Sequence, residues 1–426
     1  MGPRNEDAES LRAAAPTEPL EDADVPSAPR PSLIPGNQRD QSAALAELAR
    51  EVGIRAVKFV AWRDLEDPEA GGSELHAHRV ATQWAAAGID VTVRTSAVPG
   101  RPERAERDGY HLVRRSGRYA IFPRVAFEGM RSRQRDGEAL VEVWNGMPFF
   151  SPLWYRGPRI VFLHHVHAEM FRMVLPRAFA RVGETIERRI APLRYGSSRV
   201  VTLSSSSRDE IVEVLGFDPE RVSIAPPGID PRFTPGPGRS PDPLVVAVGR
   251  LVPVKRFDLL IEALVRARVR CPELRAVIIG EGFARAELEA MRRRHGAERW
   301  LELPGRLNDD EVLDYYRRAW VVASTSQREG WGMTLTEAAA CATPSVATDI
   351  AGHRDAVLHG RSGLLTDGVD GIADALGLVL TNDVVRKRLS RGALERARWF
   401  SWEATAMATF EALANDARAR RPITAD

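Results

Sequence analysis

Lysine is nearly missing from this 426-residue chain. Of its 60 Lys and Arg side chains only Lys58, Lys255 and Lys387 are lysine. So strong an arginine bias reflects codon usage, and it makes a lysine beside other polar signals informative. Cysteine is equally scarce. Cys271 and Cys341 stand 70 residues apart among apolar neighbours, which excludes a disulfide or metal-ligand framework and fits two small core residues in a reducing compartment. No uninterrupted apolar run approaches the roughly 18 residues of a membrane-spanning helix. The first residues are acidic where a secretion signal is basic and then apolar, so a cytoplasmic protein is expected. A net charge of only +2 gives no basis for general nucleic-acid binding.

What is present is ordinary for a folded chain: 44% apolar and 28% charged residues. The length calls for two domains, because a single core rarely grows beyond about 250–300 residues. Residues 1–50 carry five Arg against nine Asp and Glu, which leaves a mildly basic remainder suited to anionic small molecules or an anionic membrane face. That opening stretch, with "APTEPLEDADVPSAPRPSLIPG", is expected to be a disordered tail with one short helix at its end, "SAALAELAR". From "RAVKFVAW" (55–62) onward, strand patterns alternate with helical ones. Strands are expected at 139–144, 159–164 and 199–204, with helices near 124–134, 176–195 and 206–215. A second alternating series begins with "LVVAVG" (244–249). Such alternation predicts α/β domains with mostly parallel, doubly wound sheets. Between the two series, "PPGIDPRFTPGPGRSPDP" (226–243) holds seven prolines and reads as a linker. The expected division is 51–235 and 236–400, followed by an amphipathic helix at 401–418. Two such domains hold their site in the crevice at the carboxyl ends of the strands.

The charged residues that could serve such a site come in two groups. "VGRLVPVKRF" puts Arg250 just past a strand end and Lys255 five residues on, near a helix start. A guanidinium fork, an ammonium and free helix N–H groups together suit a diphosphate. In "SQREGWGMTLTEAAACATPSVAT" (326–348), Glu329 precedes a glycine-rich turn and Glu337 follows one turn into the next helix. Because Cα–Cβ bonds tilt toward the helix N-terminus, Glu337 points back to the mouth where Glu329 sits. Carboxylates accept paired hydrogen bonds from neighbouring sugar hydroxyls, and glycines let backbone N–H groups approach a ligand. Acids for hydroxyls beside bases for a diphosphate describe a nucleotide sugar. The plainer alternatives are solvated surface cations and, for Glu337, a first-turn acid favoured by the helix dipole.

In order and spacing these pieces, with "GEG" (280–282) and "LPGRLNDDEV", resemble the retaining glycosyltransferases of family 4. Those enzymes have the GT-B fold, two Rossmann-like αβα domains facing a central cleft. The likeness extends to "GGSELHAHRVATQWAAAGIDVTV", "RIVFLHHVH", "VVTLSSSSRDEI" and "IAPPGIDPRF", and runs from about 55 to 416. It implies that Glu329 contacts the donor sugar and Glu337 the ribose. Gly249, Arg250 and Lys255 would hold the diphosphate, and Arg306 and Leu307 would lie beside the base. Gly330, Trp331, Gly332, Met333, Thr334 and Leu335 would form the donor loop and supply backbone amides at a helix start. His164 would approach the anomeric carbon, although His165 and His167 leave that alignment open by one residue. Gly71 and Gly72 would bring backbone to the donor phosphate and the acceptor. Residues 51–235 would then face the acceptor, 236–400 the donor, and the last helix would cross back. Pro227 and Ala342 stand where the family usually has Asn and Gly.

The implied reaction moves a sugar from a UDP- or GDP-linked donor to a glycan, lipid-linked or small-molecule acceptor. Retention by front-face attack, without cofactor or metal, is part of that implication. "NDDE" (308–311) falls at a helix start and reads as an N-cap rather than as metal ligands. A glycoside hydrolase using Glu329 and Glu337 leaves the cationic pair without a role. "GEGFAR" lacks the third glycine of a dinucleotide site. A nucleotide-sugar epimerase of related fold and a noncatalytic nucleotide-sugar binder are the remaining alternatives. Finally, in "FRMVLPRAFARVGETIERRIAPLRYG" apolar positions 175, 179, 182, 186 and 190 recur at helical spacing among Arg177, Arg181, Arg188, Arg189 and Arg194. The plain reading packs that apolar face on the sheet; the alternative lays it on anionic lipid.

Overall fold

In the computed structural model, which describes residues 38–167, 171 and 177–420, the two alternating series form two sheets. The first contains β1 (Ala56–Val60), β2 (Asp90–Thr95), β3 (Arg104–Arg107), β4 (Tyr110–Arg114), β5 (Glu138–Val143), β6 (Arg159–Phe162), β7 (Arg199–Thr202) and β8 (Val222–Ile224), in the order β3-β4-β2-β1-β5-β6-β7-β8. All neighbours are parallel except the β3–β4 hairpin. The second contains β9 (Leu244–Val248), β10 (Arg275–Ile279), β11 (Leu301–Gly305), β12 (Val321–Ser324), β13 (Ser345–Thr348) and β14 (Gly363–Thr366), ordered β11-β10-β9-β12-β13-β14 and wholly parallel. Strands such as "RIVF" are buried along their whole length, as strands covered by helices on both faces must be. This is the expected α/β arrangement of two Rossmann-like domains across a cleft. The hairpin and β8 had no sequence signal: "RAER" is charged and half exposed, and "VSI" is three residues long.

The winding reverses at β1, which lies between β2 and β5, and again at β9, between β10 and β12. At such reversals the connecting loops diverge and a crevice opens beyond the strand ends. All described residues fall in one compact unit, Leu33–Asp426, so the two crevices form one cleft.

The helix Trp402–Arg420 leaves the second sheet and packs on the first domain. There Trp84 Nε1 donates to the Ala406 carbonyl at 3.0 Å, Phe410 meets the Trp84 ring edge-on at 5.1 Å, and the Arg159 amide donates to Asp416 at 2.8 Å. The linker is pinned by the same helix, since Thr405 Oγ1 donates to the Pro226 carbonyl at 2.6 Å.

Two expectations need correction. The short helix expected at the end of the tail, over "SAALAELAR", is longer than expected: it runs Gln38–Glu51 and buries Leu45 and Ala49 in the first core. The apolar spacing in "SAALAELAR" is the reason; residues 1–37 lie outside the described residues. The segment expected to pack its apolar face on the sheet does the reverse. It forms a helix Arg177–Thr185, a π-helical turn Ile186–Ile190 and a helix Ala191–Tyr195. Phe179 is 68% exposed, whereas Ala180, Gly183, Glu187 and Ala191 are buried. Position 175 lies outside the described residues.

Ala342 follows the helix Met333–Ala340 with φ +57°, the left-handed conformation that closes helices and favours glycine. A Cβ there costs about 1–2 kcal/mol, against up to about 1 kcal/mol for the extra chain freedom of glycine. Ala342→Gly is therefore expected to stabilise the protein by about 0.5–1 kcal/mol, read by urea denaturation. A lower midpoint at unchanged slope contradicts this.

Candidate active site

Loops from the carboxyl ends of both sheets line a cavity of about 560 Å³, among them Gly71, Gly249, Arg250, Arg306, Leu307 and Glu337. Lys255 lies alongside Gly249, where an added Cβ would sit 3.6 Å from its Cε. From there its ammonium makes an ion pair with Glu329, and both side chains are mostly buried. Ser326 Oγ donates to the same carboxylate at 2.7 Å. Burial raises the pKa of Glu329, but Lys255, His353 and these hydrogen bonds outweigh it and hold the carboxyl below its ordinary value. The group is an anion held by a cation.

Glu337 has no such cation in contact. Tyr316 Oη donates to it at 3.2 Å, and burial pushes the Glu337 pKa up to about 7 against that hydrogen bond.

Between these acids the chain turns through Gly332, at φ +106°. Gly332 heads the helix Met333–Ala340 without a side-chain cap, so the first-turn amides of Met333 and Thr334 are available to an anion at the positive end of the helix dipole. The Leu335 amide instead donates to the Gly332 carbonyl at 3.0 Å. Leu335 and Trp331 point their side chains into the second domain's core, Trp331 packing edge-on against Phe400 at 5.1 Å. Neither side chain faces the cleft, so only the backbone of these two residues is left to serve it. Across the cleft Gly72 opens the helix Gly72–Ala86 close to Met333, whose Sδ would lie 3.1 Å from an added Cβ.

The histidines divide. His164 is turned into the first domain, its Nε2 3.2 Å from His76 Nδ1, and burial with nearby His167 lowers its pKa to about 3. His165 lies at the seam between domains: its Nδ1 would be 3.4 Å from a Cβ at Gly330. Burial, then His167, Arg328, His164 and Lys255, hold its pKa well below the ordinary value. The imidazole beside the donor loop is thus neutral and belongs to His165.

The donor loop is also gripped from the first domain on both sides of Glu329. Arg328 donates to the Val166 carbonyl at 2.8 Å and pairs with Glu210. Ser204 Oγ donates to the Gly330 carbonyl at 3.3 Å, and Ser205 donates to Asp355 at 2.6 Å, with Ser206 on its other oxygen. "SSSS" (204–207) thereby caps the helix Ser205–Leu215 and ties its N-terminus to an opposing carboxylate. Tyr316, Asp355 and His353 carried no signal in sequence, because each supports the site from an element remote along the chain. Asn308 and Glu311 form a reciprocal capping box and Asp309 pairs with Arg232. Among the described residues, no group of three or more His, Cys, Asp or Glu is arranged to hold a metal ion.

Two facing Rossmann-like domains with anions and cations in the shared cleft define a GT-B protein. Residues 70–233 match the model of Glycosyltransferase Family 4, and 234–396 that of Glycosyl transferases group 1. The chain belongs to glycosyltransferase family 4. It is 30% identical over 405 residues to a D-inositol 3-phosphate glycosyltransferase of Pseudarthrobacter chlorophenolicus, covering 85% of this chain and 95% of that protein. Against the corresponding protein of Kribbella flavida it is 35% identical over 237 residues, 51% of this chain and 56% of that one. The latter match thus spans little more than half of its relative's length. Among solved structures, the sucrose-phosphate synthase of Thermosynechococcus elongatus superposes with a TM-score of 0.70 at 18% identity, covering 84% of this chain and 98% of that one. Anabaena HepE with UDP and glucose gives 0.66 at 18%, covering 85% and 100%.

Two measurements test this description. Because the folded pKa of Glu337 is raised, the stability that this group contributes is present below the unfolded value near 4.5 and lost as pH rises through about 7. Glu337→Gln mimics the protonated form. It is expected to match wild type at low pH and to exceed it above neutrality by up to about 3 kcal/mol in denaturant unfolding; a pH-independent difference sinks the assignment. Asp355→Ala, which removes the carboxylate from the serine run, is expected to let the domains part. Solution X-ray scattering should then give a larger radius of gyration at an unchanged melting temperature, and an identical scattering curve argues against the grip.

Proposed function

We propose that this protein transfers a sugar from a nucleotide-diphosphate donor to an acceptor hydroxyl, with retention of configuration and without a metal ion. The observation that carries this reading is the meeting of Lys255 with Glu329 beside Gly249 and Arg250: the cation and the anion occupy one place. A donor entering the cleft separates them. Lys255 and Arg250 turn to the diphosphate, Glu329 to the sugar hydroxyls, and Glu337 to the ribose. Arg306 and Leu307 flank the base. As the glycosidic bond lengthens, negative charge grows on the diphosphate. The two cations and the amides of Met333 and Thr334 stabilise it there, and preorganised donors in a dry cleft are worth far more than in water. The leaving phosphate oxygen takes the acceptor's proton on the same face, so no side-chain nucleophile is needed. His165, neutral beside Gly330, contacts the sugar near its anomeric carbon. The capping role of "NDDE" supports the metal-independent reading.

The acceptor binds from the first domain, and the cleft closes through the serine and Arg328 contacts. The relatives' names make inositol phosphate one acceptor to try, and the UDP bound to HepE makes UDP-sugars the first donors. Peripheral contact with an anionic membrane, on the cytoplasmic side, belongs to the same reading; no helix among the described residues is long and apolar enough to cross one.

The test is turnover of UDP- and GDP-sugars with glycan, lipid-linked and inositol phosphate acceptors. Acceptor-dependent release of nucleoside diphosphate, an unchanged anomeric configuration by NMR and full activity in chelator are expected. Glu329→Gln and Lys255→Ala should each lower kcat by about 10²–10³. Donor conversion without acceptor would point instead to an epimerase, and chelator inactivation reversed by manganese would overturn the metal-free mechanism.

A further inference from the structure

The segment Arg177–Tyr195 turns its bulky apolar side chains away from the protein. Leu193 and Phe179 are 83% and 68% exposed, and Val182 and Ile190 are half exposed. Along the helix Arg177–Thr185 and the π-helical turn its inward side is built of small residues and one carboxylate, Glu187, which has no exposure, and only at its end does a large ring, that of Tyr195, turn inward. A helix that only packs on a sheet has the opposite polarity, with its bulky apolar stripe inward. Arg177, Arg181, Arg188, Arg189 and Arg194 are all exposed along the same segment, and neither of its acids is. The short helix Ser151–Leu153 packs beside its end and adds Leu153, 59% exposed.

Apolar tips ringed by guanidiniums match the boundary layer of an anionic bilayer. The tips enter the acyl region while the guanidiniums meet lipid phosphates. A second copy of the chain is a poor occupant, because a two-fold contact would bring five arginines against five.

The inward side leads to the cleft. Glu187 Oε1 accepts from the His167 amide at 2.8 Å and lies 3.3 Å from His167 Nδ1. His167 Nε2 is 3.1 Å from Asn145 Oδ1, and Asn145 Nδ2 donates to Ser73 and to Glu74 at 2.8 and 3.0 Å. The other oxygen of Glu74 accepts from the Gly71 amide at 2.9 Å. One hydrogen-bonded chain therefore runs from the exposed segment to the glycine turn that lines the cavity. Its first link sits on a π-helical turn, a feature common at functional sites.

With the transferase reading as its basis, we infer that this face docks on an anionic membrane surface and that Glu187, as a positioning residue, couples the docked segment to the acceptor side of the cleft. The acceptor class that follows is one presented at a membrane, with its reacting hydroxyl in the headgroup layer.

The experiment uses the full chain with phosphatidylcholine vesicles, with and without phosphatidylglycerol. Sedimentation with the anionic vesicles only, reversed by high salt, is expected. Arg188→Ala combined with Arg189→Ala should weaken partitioning roughly thirtyfold, at about 1 kcal/mol per arginine, and Phe179→Ser with Leu193→Ser should weaken it as well. Glu187→Gln should sediment like wild type and lower kcat about tenfold or more, while leaving the donor KM unchanged, a split that general destabilisation does not produce. Wild-type protein that stays in the supernatant at low salt overturns the docking. So does a dimer in light scattering that Leu193→Ser dissolves. An unaltered kcat in Glu187→Gln overturns the coupling. Sedimentation without any sugar transfer leaves the docking supported and removes the transferase reading instead.

Discussion

The contact of Lys255 with Glu329 ties together two strand ends, those of β9 and β12, that are neighbours in the sheet but about seventy residues apart in the chain. Burial by itself would raise the pKa of Glu329; Lys255, His353 and the hydrogen bonds to the carboxylate outweigh it and hold the group below its ordinary value. The cleft thus holds a cation and an anion in contact. Glu337, buried without a cation in contact, shows the alternative: its pKa climbs to about 7.

Contacts from both domains surround that pair. The loop that carries Glu329 belongs to the second domain, yet Arg328 and Gly330 on either side of it are bound by the first. The position of the acid thus depends on both domains. The final helix makes the same connection from behind, because it buries Phe410 against Trp84 of the first domain after leaving the second sheet. Interdomain freedom is limited to what the serine, arginine and linker contacts allow.

Much of this was legible in the chain. Alternating strand and helix periodicity reported the second sheet almost strand for strand, because parallel strands covered on both faces are short, wholly apolar runs bounded by polar turns. Arg250, Lys255, Glu329 and Glu337 stood out because each sits at a fixed offset from such a strand end. What escaped has a common cause. β3 and β8 bury too little to leave a pattern. The choice between His164 and His165 depends on which way one strand end twists at the domain seam. Trp331 looks like a ligand residue in a glycine-rich loop, but its ring goes to the core.

By itself the sequence determined the two-domain α/β class, the strand ends that bear charge, and the acids and bases that gather near the cleft. These are local properties, set by periodicity and by residues near one another in the chain. Only the tertiary structure decided which side of the segment 177–195 faces solvent, since helical spacing defines an apolar face but not its direction. It alone brought Asp355 to the serine run, Tyr316 to Glu337 and Glu187 to His167. Such contacts join residues 20 to 150 positions apart, and no local pattern encodes a pairing that exists only once elements separated along the chain have packed against each other.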